Sequence, residues 1–169
     1  RRIHNKVPGQ GDIHARLMFI GEGPGADEDM QGLAFVGAAG QLLTKMIAAM
    51  GMTREEVYIC NIVKCRPPQN RTPFPEEAAA CLPYLRQQVA LVRPQVIVLL
   101  GATAAKTLLR PDFRITREHG QWFDIESARA MAIYHPSALL RDITKRPETF
   151  ADLRSLRSEA KRVCERLYK

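Results

Sequence analysis

Met131-Ala132-Ile133-Tyr134-His135-Pro136-Ser137-Ala138-Leu139-Leu140-Arg141 is an apolar run that stops at a proline and then gathers an imidazole, a hydroxyl, two leucines and a guanidinium. Proline cannot continue a strand and removes a backbone donor, so the run reads as a strand feeding a stiff loop that presents His135 and leaves Leu139 and Leu140 exposed. Three other apolar runs lead into loops of unusual composition. Leu17-Met18-Phe19-Ile20 leads into Gly21-Glu22-Gly23-Pro24-Gly25-Ala26-Asp27-Glu28-Asp29, and Val57-Tyr58-Ile59-Cys60 into Asn61-Ile62-Val63-Lys64-Cys65-Arg66-Pro67-Pro68-Gln69-Asn70-Arg71. Val96-Ile97-Val98-Leu99-Leu100 ends at Gly101 and an Ala-rich helical run. Four such strands, mostly followed by helix-period segments, predict a three-layer α/β/α architecture with a central, mainly parallel four-stranded sheet. The four loops should then converge on one edge, where open α/β sheets hold their ligands.

The intervening segments fit this plan. Residues 1–16 read as a lead-in broken by Pro8, Gly9 and Gly11. Residues 37–50 carry Leu42, Leu43, Met46, Ile47 and Met50 at helical spacing, with Gly51 as a stop. Pro75 opens a second helix reaching about Val92, with Leu82, Leu85, Val89 and Val92 inward and Pro94 beyond its end. A short helix follows over 103–109. Residues 121–125 and 131–134 read as strands joined by a turn, and 148–167 as an amphipathic terminal helix using Phe150, Leu153, Leu156, Ala160, Val163 and Leu167.

At 169 residues the chain, 1–169, is read as one domain, and 46% hydrophobic with 25% charged residues is ordinary for a globular protein. No apolar run approaches the length of a membrane span and no leader pattern opens the sequence. The 25 Lys and Arg against 18 Asp and Glu give a net charge of +7, which favours polyanionic partners. A basic, well-solvated surface would look the same. Four cysteines without secretory marks point to buried thiols or metal ligands rather than a disulfide framework.

The loop after the first strand has glycines suited to close backbone approach, but its spacing matches neither phosphate-binding fingerprint and it lacks the lysine a triphosphate would need. Glu28 or Asp29 could deliver a carboxylate to activate water, whereas Asp27 reads as an exposed charge. Phe35 could be a stacking platform for a base, although taken alone a core role is the commoner one for a phenylalanine. Asn61 offers a donor and an acceptor side by side, which suits the edge of a pyrimidine; a turn-capping asparagine is the alternative.

Taken together, four motifs in and beside these loops closely resemble the family 4 uracil-DNA glycosylases, the bacterial and archaeal iron–sulfur type. The matching elements are Gly21-Glu22-Gly23-Pro24-Gly25 with Glu28-Asp29, Phe35-Val36-Gly37 with Gly40-Gln41-Leu42-Leu43, Asn61 through Pro68 with Asn70-Arg71, and His135-Pro136-Ser137 with Leu140-Arg141. The resemblance implies that Phe35 stacks on a flipped uracil and Asn61 reads its edge. Gly23 and Ser137 would complete the substrate-binding set. His135 would stabilise charge growing on uracil O2 as the glycosidic bond breaks. Glu28 would orient the attacking water, with Glu22 as second choice. Related families place Asp or Asn one residue after the position of Glu22, where this chain has Gly23. Leu139, Leu140 and Arg141 would enter the minor groove, and Arg66, Asn70 and Arg71, with Lys64, would contact the DNA. The implied partner is uracil-containing DNA, bound by a monomeric, cytoplasmic protein with no membrane role.

The same family carries a [4Fe–4S] cluster on four thiolates, two of which match Cys65 and Cys81. No cysteine precedes Cys60 in this chain, so two further ligands, from a short Cys-x-x-Cys segment, are expected upstream of Arg1; a cluster-free variant is the alternative. Cys60 and Cys164 read as core or surface thiols. The implied activity is monofunctional hydrolysis, since no lysine is an obvious Schiff-base nucleophile. The competing readings are a non-catalytic uracil-DNA-binding or polymerase-associated domain of the same fold, and a glycosylase shifted to hypoxanthine, xanthine or mismatched thymine.

Overall fold

The computed structural model describes residues 8–64 and 73–167. In chain order the elements are β1 (Gln10–Gly11), β2 (Leu17–Gly21), α1 (Ala26–Gln31), α2 (Ala38–Ala49), β3 (Tyr58–Asn61), α3 (Pro75–Val92), β4 (Val96–Leu100), α4 (Ala102–Leu108), α5 (Ile115–Glu118), β5 (Trp122–Ile125), β6 (Ala128–Ile133), α6 (Pro136–Arg141) and α7 (Arg146–Leu167). One sheet runs in the order β1-β3-β2-β4-β6-β5. Its four inner strands are parallel, as the sequence predicts, and each edge carries an antiparallel strand that raises the count to six. Gly11, read from sequence as a breaker, lies in the short edge strand β1 opposite Tyr58.

Alternation along the buried strands sorts their side chains into two cores. Leu17, Phe19, Val96, Val98, Met131 and Ile133 face one way, against Leu43 and Ile47 of α2 and Leu153 and Leu156 of α7. Met18, Ile20, Ile97, Leu99, Ala130 and Ala132 face the other, against Leu85 of α3 and Ala104 and Ala105 of α4. Helices therefore cover both faces, and β2 and β4 are buried along their full length. Pro75 occupies the first turn of α3, where its missing N–H is not needed.

The segment after β6 departs from the sequence reading. Pro136 does not stiffen a loop; it takes the first position of α6, again a place where proline is preorganised. Winding 136–141 into a helix turns Leu139 inward, and its exposure falls to 2%. Leu140 remains on the outside at 44%.

Candidate active site

The C-terminal ends of the four parallel strands open into one cavity of about 850 Å³, to which Glu22, Asn61, Gly101 and His135 contribute from the four successive loops. This is the convergence that parallel topology requires.

Its floor is built where β2 and β3 end side by side, with Gly21 paired to Asn61. A Cβ on Gly21 would lie 2.5 Å from Asn61 Oδ1 and 2.5 Å from Phe35 Cζ. Only glycine lets the amide and the ring approach each other there. Phe35 has a left-handed backbone, φ 54°, and a Cβ on Gly40 of α2 would fall 2.0 Å from its carbonyl carbon. The ring is thus set by a backbone pressed on a helix. Asn61 is 1% exposed, and among the described residues its Oδ1 has no hydrogen-bond partner. A buried acceptor left open costs about 1–3 kcal/mol, so such an atom calls for an external donor.

His135 caps α6. Its Nδ1 accepts the Ser137 backbone N–H at 3.1 Å and lies 2.6 Å from the Ser137 hydroxyl. An amide can only donate, so Nδ1 is the unprotonated acceptor and the ring proton sits on Nε2. Burial, reinforced by the positive charge of Arg141 and opposed by Glu28, pushes the imidazole pKa down to about 4. The ring lies 5.7 Å, centroid to centroid, from Phe35 and tilted by 32°.

Of the carboxylates named from sequence as water activators, Glu22 and Glu28 line the cavity and Asp29 does not. Glu28 accepts the amides of Gly25 at 2.9 Å through Oε1 and of Val36 and Gly37, each at 2.7 Å, through Oε2. Glu22 Oε2 accepts the Thr103 hydroxyl at 2.6 Å. Asp29 is buried and Asp27 exposed.

Residues 8–156 match the model of the uracil DNA glycosylase superfamily. The chain belongs to this superfamily. It is 46% identical to a type-4 uracil-DNA glycosylase of Archaeoglobus fulgidus, across 90% of this chain and 80% of that protein. It is 48% identical to the type-4 enzyme of Thermotoga maritima, across 82% and 73%, and 44% identical to that of Pyrobaculum aerophilum, across 88% and 80%.

Within this uracil DNA glycosylase the structure brings together Glu22, Gly23, Glu28, Phe35, Asn61, His135, Ser137 and Arg141 at one cavity. Ser137 serves His135 through both its amide and its hydroxyl. Leu139 is a correction: as part of the core it cannot enter a groove, because α6 turns it toward the sheet. Leu140 instead lines an adjoining groove with Lys45 and Arg146. Lys64 is a second correction. It is 6% exposed, with Nζ donating to Asn61 O at 2.6 Å and to Gln88 Oε1 at 2.5 Å, so it supports the Asn61 backbone and does not face phosphate. Cys65, Arg66, Asn70 and Arg71 lie outside the described residues, as does the side chain of Cys164. Sequence reasoning missed Lys106, whose ammonium-bearing chain lines the cavity from α4, and Thr103 and Arg54, whose partners are far away in sequence.

The His135 assignment has a pH signature. Below the ordinary value of 6.5 the unfolded chain takes up this proton and the folded one does not until about 4, so the contribution to stability is full above 6.5 and declines as pH falls through that window. An NMR titration of the His135 ring protons should give a midpoint near 4. A midpoint near 6.5 would show that the ring is not enclosed as described.

Proposed function

We propose that this chain hydrolyses the N-glycosidic bond of uracil in DNA, leaving an abasic site for base-excision repair. The observation that carries the proposal is the open, buried Oδ1 of Asn61 beside the Phe35 ring. Uracil presents a donor at N3 and an acceptor at O4; an asparagine amide answers both, and the open Oδ1 is the acceptor that N3–H needs. Cytosine reverses this pattern and would leave the buried acceptor facing an acceptor.

A base held there must leave the duplex stack, and Phe35 replaces the lost stacking. As the bond from C1′ to N1 breaks, its electron pair moves onto the uracil ring and O2. Neutral His135 donates from Nε2 to that oxygen; because Nδ1 is already occupied by Ser137, the proton is not mispositioned on the other nitrogen. The positive charge left on the sugar is met by water, whose oxygen bonds to C1′ while a carboxylate takes its proton. Glu22 is better placed than Glu28 for that step, since both Glu28 oxygens already hold backbone amides. Lys106 and Arg141 at the rim supply counter-charge for the flanking phosphates.

Cys81 is a free, half-buried thiol on α3, whereas Cys60 is wholly buried and its thiol is pushed up to about 11. This contrast supports Cys81 over Cys60 as a thiolate ligand of a [4Fe–4S] cluster, which would take Cys65 by the family resemblance and two further thiolates; no cluster of three or more ligating side chains occurs among the described residues. Such a cluster, when bound, would tie the loop after β3 to α3.

Incubation with uracil-containing oligonucleotides should release free uracil without added divalent metal. His135→Ala should slow single-turnover release by roughly 10²–10³, the scale of losing one charge-stabilising donor, with a much smaller effect on DNA binding. Asn61→Asp should lose selectivity against cytosine. Unchanged selectivity in that variant would remove Asn61 from the base pocket. In the full-length protein, iron and sulfide content should fall in Cys81→Ala and Cys65→Ala and persist in Cys60→Ala; the reverse pattern would overturn the ligand choice.

A further inference from the structure

Phe35 combines a bulky side chain with a backbone conformation that such residues avoid, φ 54°. A conformation of that kind persists only where surrounding contacts over-determine it. Two charged side chains from other parts of the chain do so here. Arg54, on the short turn Arg54–Glu56 before β3, donates from one terminal nitrogen to Phe35 O and from the other to Ala34 O, each at 2.6 Å, and reaches Thr44 Oγ1 of α2 at 3.2 Å. On the C-terminal side of Phe35 along the chain, Glu28 accepts the Val36 and Gly37 amides. The carbonyls on either side of the strained N–Cα bond, those of Ala34 and Phe35, are held by a cation, and the next two amides by an anion.

We propose that Arg54 is a positioning residue for base recognition, acting through Phe35: its fork holds the left-handed turn that sets the ring against Asn61 and His135. Arginine suits this task because two fixed, parallel donors match two successive carbonyls; a lysine ammonium would supply the charge without the geometry. The site lies outside the cavity lining, so Arg54 touches no reacting atom. This inference rests on the stacking role given to Phe35 above.

A double-mutant cycle on single-turnover uracil release tests it, with Arg54→Ala, Phe35→Ala and the pair, each checked for abasic-DNA affinity. Arg54→Ala should lose roughly 10- to 100-fold, the scale at which small misplacements of a binding group act, with abasic-DNA affinity retained. In the Phe35→Ala background the same change should cost less than about 2-fold, because coupled residues are not additive. Arg54→Lys, which keeps charge and most of the packing, should recover only part of the loss and serves if the alanine variant does not fold. An equal loss in both backgrounds, or a wild-type rate in Arg54→Ala or Arg54→Lys, would overturn the inference. A wild-type rate in Phe35→Ala alone would remove the stacking role itself, and this inference with it.

Discussion

The site depends on one missing methyl group. Where β2 ends, Gly21 leaves room that any side chain would fill, and the Phe35 ring and the Asn61 amide both reach into that room. The sheet sets the positions of both ends, because parallel pairing places Gly21 directly beside Asn61.

Around that junction, charges are used to hold backbone. Glu28 binds three amides, Arg54 two carbonyls, and Lys64 the carbonyl of Asn61 itself. Burial disfavours a lone charge, and it lowers the affinity of both Lys64 and Arg54 for their protons, yet each has polar partners within hydrogen-bond distance. His135 is the complementary case. It is kept neutral by the same burial and tied at Nδ1, so that Nε2 is left as its one donor.

The parallel sheet and its helical layers were legible because periodicity and turn residues report local physics: apolar runs, alternating burial, Pro75 at a helix start. The candidate site was legible as strand-end loops carrying Glu22, Asn61 and His135, since parallel topology alone brings strand ends together, with Phe35 added by the motif that precedes α2. What escaped the sequence depended on three-dimensional context. Pro136 can end a strand or begin a helix, and choosing the first left Leu139 outside. Lys64 in a basic loop looks like a phosphate contact until packing buries it. Arg54, in a charged turn, gives no local hint that its partners lie nineteen and twenty residues earlier. Glu28 likewise reads as a free base until its backbone partners are seen.

The most direct measurement of this account is single-turnover uracil release by Gly21→Ala, with circular dichroism to confirm the fold. The added methyl group must displace either the Phe35 ring or the Asn61 amide, and release should fall roughly 10²-fold, as misplacement of the bound base requires. A folded Gly21→Ala protein that releases uracil at the wild-type rate would contradict the claim that this junction is the base-recognition surface.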